Sequence, residues 1–111
     1  MSELLEVAEA QFKEKLAVIK NIEVPDWNIK IYFRQSMTFK QQAEILALTN
    51  KDRHVDAIVT TLILRALNED LEPLFKPMDK VRLKRCDPDI ISRIVTEMGG
   101  DELDVDEAEK N

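Results

Sequence analysis

The sequence predicts a mainly helical domain with a small β-hairpin near its N-terminal third and a disordered acidic tail at its C-terminal end. Three observations predict it. Apolar residues recur at helical spacing over four separate stretches. A single period-two run, Ile29-Lys30-Ile31-Tyr32-Phe33-Arg34, follows a Pro-Asp turn signal. Six acids and one base crowd the last eleven of 111 residues, so the tail carries −5 of the chain's net charge of −6. The expected division is one helical domain over 1–100 and a disordered tail over 101–111, where too little apolar surface remains to offset ordering.

Each element follows from its residues. Ser2 can cap a first helix over 2–20, with Glu3 and Glu6 near the positive end of its dipole. Leu4, Leu5, Ala8, Phe12, Leu16 and Ile19 form its apolar face, with Glu9, Lys13, Gln11 and Lys15 on the others. Ile22 to Val24 can pair with the 29–34 strand across Pro25-Asp26-Trp27-Asn28, with Ile29, Ile31 and Phe33 facing one way. A lone hairpin is marginal in water, so its apolar face should rest on helices.

Thr38-Phe39-Lys40-Gln41 has the form of a capping box and opens a second helix, with Phe39, Ala43, Leu46 and Ala47 as the expected buried face. Asn50-Lys51-Asp52 breaks it. A third helix over 53–67 has Asp56, Thr60, Thr61 and Arg65 as its polar positions and is otherwise apolar nearly all round, the mark of a central helix. Pro73 and Pro77 bracket Leu74-Phe75 in a loop, and Pro77 can start a short helix through Arg85. Asp87-Pro88-Asp89 predicts a helix start, Ile90, Ile91, Ile94, Val95 and Met98 share a face, and Gly99-Gly100 is expected to end it in a left-handed cap.

Composition narrows the function. The hydrophobic fraction of 44% supports one core, and 5% aromatics make that core aliphatic. A nearly neutral domain with an acidic tail argues against nonspecific binding to DNA or anionic membranes. No secretory signal or bilayer-spanning run is visible, and the single cysteine precludes an intramolecular disulfide.

His54 and Cys86 are the only histidine and thiol. A nucleophile pair would need them in contact with a third group orienting the imidazole, and a closed zinc site wants four ligands, so no catalytic, cofactor or metal site is expected. Asn68-Glu69-Asp70-Leu71-Glu72 lacks the glycine and ligand spacing of a calcium loop and reads as a solvated turn. Lys80-Val81-Arg82-Leu83-Lys84-Arg85 is the one basic cluster. It reads as a solvated face, or a dock for the chain's own acidic tail or a partner's acids, before it reads as a nucleic-acid site.

A further set of residues carries a resemblance. Val24-Pro25-Asp26-Trp27, a strand ending in Phe33-Arg34, a helical middle, and an acidic turn leading into Pro73-Leu74-Phe75 resemble the tail assembly chaperones of long-tailed, lambda-like bacteriophages with non-contractile tails. The likeness runs over about residues 22–98. One departure is visible: the turn before Pro-Leu-Phe often has a glycine in such proteins, and here reads Asp70-Leu71-Glu72.

The resemblance implies a binding protein, not an enzyme. It implies a chaperone in the host cytoplasm that engages the tape measure protein, keeps it soluble during tail assembly, and is absent from the finished particle. It also implies self-association, with the major tail protein and a longer, frameshifted form of the chain as further partners. Glu109-Lys110-Asn111 can be encoded by an A-rich heptamer that permits such slippage. Trp27, Leu74, Phe75, Leu4, Leu5 and Phe12 are the candidate partner-binding residues, with a helix-in-groove contact as the expected mode. For Trp27 and for Leu74-Phe75 the competing reading is a packing role, as a cap on the core edge and a loop plug for the core. The alternative readings are a small helical adaptor or regulator, and a nucleic-acid-binding protein using the basic cluster.

Overall fold

The computed structural model describes residues 2–99. The expected acidic tail over 101–111 lies outside the described residues. The chain runs α1 (Ser2–Ala17), β1 (Ile19–Val24), β2 (Ile29–Arg34), α2 (Phe39–Asn50), α3 (His54–Arg65), α4 (Lys80–Leu83) and α5 (Pro88–Met98). This is the mainly helical architecture with one N-terminal hairpin that the periodicities predict.

β1 and β2 pair antiparallel, with Ile22 opposite Ile31 and Val24 opposite Ile29. Pro25–Trp27 forms a single 3₁₀ turn, and Asn28 takes the left-handed conformation (φ 54°) that reverses the chain. Asn tolerates this region better than most residues. The hairpin is longer than expected, because β1 begins at Ile19. The first helix correspondingly stops at Ala17, not residue 20, and Ile19 belongs to the strand. Three bonds fix this junction: Val18 N–H to Lys15 O at 3.2 Å, Gln35 N–H to Val18 O at 3.0 Å, and Arg34 Nη1 to Leu16 O at 2.9 Å.

The core sits between the hairpin's inner face and three helices. Ile22, Val24, Ile31 and Phe33 meet Val59, Leu62 and Ala66 from α3 and its end, Leu83 of α4, and Ile91, Ile94 and Met98 of α5. Ile31, Leu62, Ile94 and Val24 are fully enclosed. Each such side chain contributes about 1.5–3 kcal/mol by leaving water. Ile29 shares the inner-face alternation but lies at the strand start and stays partly exposed.

The far edge of β2 is also covered. Leu67 exchanges two hydrogen bonds with Tyr32 (2.8 and 2.9 Å), and Leu74 N–H bonds Ala66 O at 3.0 Å. The third helix therefore ends at Arg65, two residues before its apolar pattern does, because Leu67 pairs with the sheet edge. Between Leu67 and Leu74 the chain turns on Asn68, whose Oδ1 accepts the N–H groups of Asp70 and Glu72 at 2.8 and 3.0 Å. Leu71 takes the left-handed conformation (φ 64°). The turn keeps a geometry suited to glycine without having one.

α3 is the central helix, as its sequence predicts, but its polar positions are not its solvent face. Asp56, Thr60, Thr61 and Arg65 are all buried, while apolar Val55 is exposed. Thr61 Oγ1 bonds Ala57 O at 2.8 Å. Arg65 reaches Met98 O at 3.0 Å and Arg34 O at 2.6 Å, and its guanidinium lies 5.5 Å from the centre of the Phe33 ring. Through this one side chain the ends of α5 and β2 are tied to α3.

α5 starts as expected. Asp87 caps it by accepting the Asp89 N–H at 2.9 Å, and Pro88 occupies the first helical position. Its end differs: Gly99 has φ −111°, not a left-handed value, and Gly100 lies outside the described residues. The short helix expected from Pro77 through Arg85 is a 3₁₀ turn over Pro77–Asp79 followed by α4, which ends at Leu83.

Candidate partner-binding surface

α2 carries two apolar faces, and among the described residues only one has a partner. Thr38 caps the helix through the expected box: Gln41 N–H to Thr38 Oγ1 at 3.2 Å, and Thr38 N–H to Gln41 Oε1 at 3.1 Å. Helical spacing then puts Gln41, Ile45 and Leu48 on one side and Phe39, Ala43, Leu46 and Ala47 on the other. The first set is half-buried and the second exposed. Phe39 is 90% exposed and Leu46 58%. The sequence reading had these sides reversed. Apolar spacing is compatible with either side, and the tight 51–53 turn presents the Gln41–Ile45–Leu48 side to the interior. That turn brings Arg53 N–H to Leu48 O at 2.9 Å and holds Asp52 at φ 59°.

α1 is likewise left with free apolar surface. None of its residues is buried. Phe12 and Leu16 near its C-terminal end are half-buried, whereas Leu4, Leu5 and Val7 are 63–66% exposed. Its first half therefore presents leucines and a valine to solvent.

The six candidate contact residues separate into two groups. Leu4 and Leu5 stand free on α1, and Phe12 is partly covered. Trp27, Leu74 and Phe75 are half-buried and pack against the core. The structure thus gives Trp27 and the Pro-bracketed loop a packing role and does not join them to the α1 leucines in one patch. Sequence reasoning missed the exposure of Phe39 and Leu46 by assigning them to the core. The available signal was that α2 has apolar residues on opposite sides, more than one neighbour can cover.

Of the groups with chemical potential, Asp56 is held in structural contacts and His54 and Cys86 are exposed. Asp56 accepts from Arg53 Nε at 2.6 Å and also faces Lys84 Nζ. Hydrogen bonds from Lys84 and then Arg53 hold its carboxyl well below the usual range, at about 2. One base of the 80–85 cluster is thereby engaged with α3. His54 Nε2 lies 3.5 Å from Asp52 Oδ1, with both side chains exposed. Cys86 is exposed, its Sγ 3.5 Å from Arg82 O. No cluster of three or more His, Cys, Asp or Glu side chains suited to a metal occurs among the described residues, and none of their helices is long and apolar enough to cross a membrane.

Comparison with known proteins finds a solved structure of the kind the sequence motifs resemble. The chain is similar to the solved tail assembly chaperone of bacteriophage HK97, with a TM-score of 0.63 over 88% of this chain and 92% of that one, at 22% identity. The two chains share a fold. No protein-family model matches the sequence, and no curated protein does. The likeness therefore lies in the arrangement of hairpin and helices, with few side chains in common. The free faces of α1 and α2 belong to an architecture that a phage tail assembly chaperone also uses.

Proposed function

We propose that this protein is a tail assembly chaperone of a lambda-like, long-tailed phage. It binds the tape measure protein in the host cytoplasm, keeps that long helical client soluble while the tail is built, and leaves before the particle is finished. It works by binding and makes or breaks no bond. The observation that carries this reading is the pair of helices with uncovered apolar stripes, Leu4-Leu5-Val7 on α1 and Phe39-Leu46 on α2, on a fold shared with the HK97 tail assembly chaperone.

Amphipathic client helices would lay their apolar faces along these stripes. The magnitudes suit a releasable grip. Burying four large side chains (Leu4, Leu5, Phe39 and Leu46) yields about 6–12 kcal/mol gross. Association costs about 4–15 kcal/mol in lost freedom. One copy therefore holds weakly, and several copies along one client hold firmly through effective concentration. Self-association of the chain, and a longer frameshifted form that recruits the major tail protein, belong to the same reading.

Co-expression with the tape measure protein tests it. The client should be soluble with this chain and insoluble without it, and a Phe39→Ser/Leu46→Ser variant that is itself folded should fail to keep it soluble. A client that is equally soluble alone, or insoluble with both, contradicts the proposal.

A further inference from the structure

The cleft beside α4 has a chemistry that the client-binding stripes lack. Phe75, Asp79, Arg82, Leu83, Arg85 and Cys86 line an open volume of about 540 Å³. Leu83 is buried and Phe75 half-buried, so the floor is apolar. Arg82 and Arg85 line the cleft and Lys80 is on the same short helix; none of the three has an ion-pair partner among the described residues, whereas Lys84 is held by Asp56. Asp79 also lines the cleft and accepts the Lys76 N–H at 2.8 Å, while Asp87 accepts at the cap of α5; among the lining residues the two arginines outnumber the one acid. A basic rim over an apolar floor fits an extended acidic segment with small apolar side chains between its acids.

The chain supplies such a segment. After α5 it reads Leu103-Asp104-Val105-Asp106-Glu107-Ala108-Glu109. α5 begins two residues past Cys86 and its eleven residues rise about 16 Å at ~1.5 Å each. Extended chain covers about 3.4 Å per residue. Five residues beyond Gly99 therefore span the length of α5, which brings Asp104 and everything after it within reach of the cleft.

We propose that the acidic C-terminal segment docks back into this cleft. Asp104, Asp106 and Glu107 pair with Arg82 and Arg85, and Val105 rests against Phe75 and Leu83. Tethering gives the segment an effective concentration of about a millimolar, so even a weak site is substantially occupied. Exposed ion pairs are screened by salt, so the dock opens as ionic strength rises. An acidic partner segment would have to displace the tail to use this cleft. The inference does not rest on the client reading and is tested with no client present.

Cys86 lines the cleft and is the chain's only cysteine, which makes it a reporter. The experiment measures Cys86 alkylation by uncharged iodoacetamide in the full-length protein. Limiting rates at high pH are compared, so that a shifted thiol pKa does not mimic protection. In low salt the wild type should react about threefold more slowly than an Asp104→Asn/Asp106→Asn/Glu107→Gln variant, as expected for a tethered site mostly occupied. Added 0.5 M salt, or Arg82→Gln/Arg85→Gln with the natural tail, should remove the difference. Equal rates in all forms would overturn the proposal. So would protection that survives tail neutralisation, or protection that grows with protein concentration and so comes from a second copy.

Discussion

α2 and α3 are both twelve residues long, adjacent in sequence and packed on each other, yet they treat their residues in opposite ways. α3 buries Asp56, Thr60, Thr61 and Arg65. α2 exposes Phe39 and Leu46. Residue type alone does not decide burial; the supply of partners does. α3 lies among the hairpin, α4 and α5, so its buried charged groups find mates. Arg65 has two carbonyls and an aromatic face, and Asp56 has two cations. α2 has α3 on one side, and no described residue covers Phe39 and Leu46 on the other. A buried charge survives where it is hydrogen-bonded, and an apolar face with no described neighbour stays exposed.

The sharpest way to break this contrast is a pair of truncations. Leu62→Ala in α3 should cost about 3–5 kcal/mol of unfolding free energy, because Leu62 is fully enclosed. Phe39→Ala in α2 should cost no more than about 0.5 kcal/mol. Urea denaturation measures both, and equal losses would mean that Phe39 is covered in solution. Next comes Arg65→Met, which keeps the side chain's bulk and removes its donors. It should lower stability by about 2–3 kcal/mol, because the carbonyls of Met98 and Arg34 lose their charged partner.

A smaller effect is expected from acid. Asp56 titrates at about 2 in the folded chain against 3.8 ordinarily. A depressed carboxyl stabilises the fold above its unfolded value and loses that contribution as pH falls through the folded one. Stability should therefore drop between about pH 5 and pH 2, and Asp56→Asn should flatten that part of the profile in thermal melts across the range. Smallest is Leu71→Gly. Relieving a left-handed non-glycine residue should raise stability by about 0.5–1 kcal/mol, since the strain of ~1–2 kcal/mol is partly offset by glycine's greater freedom when unfolded.

These regions also mark how far the sequence could be read. Local chemistry was legible. The Thr38–Gln41 box, the Asp87-Pro88 start of α5, the Pro25 turn and the inward alternation of Ile31 and Phe33 each depend on residues a few positions apart. Long-range choices were not. Ile19 left the helical pattern for a strand because its partner Arg34 lies fifteen residues on. Leu67 left α3 because Tyr32 offered an edge to pair with. For the exposed apolar faces the same limit applied. Leu4 and Leu5 stay exposed among the described residues, as the sequence reading had them. Phe39 and Leu46 were misplaced because only the tertiary turn at 51–53 decides which side of α2 faces inward.

The central claim is that the uncovered faces of α1 and α2 are where another chain is held. Hydrogen exchange of this protein with and without the co-purified tape measure protein tests it most directly. The account predicts that amides of Ser2–Ala17 and Phe39–Asn50 slow at least tenfold in the complex, while those of His54–Arg65, already enclosed, change little. A complex in which both helices exchange as fast as in the free protein, with protection confined to other surfaces, would contradict it.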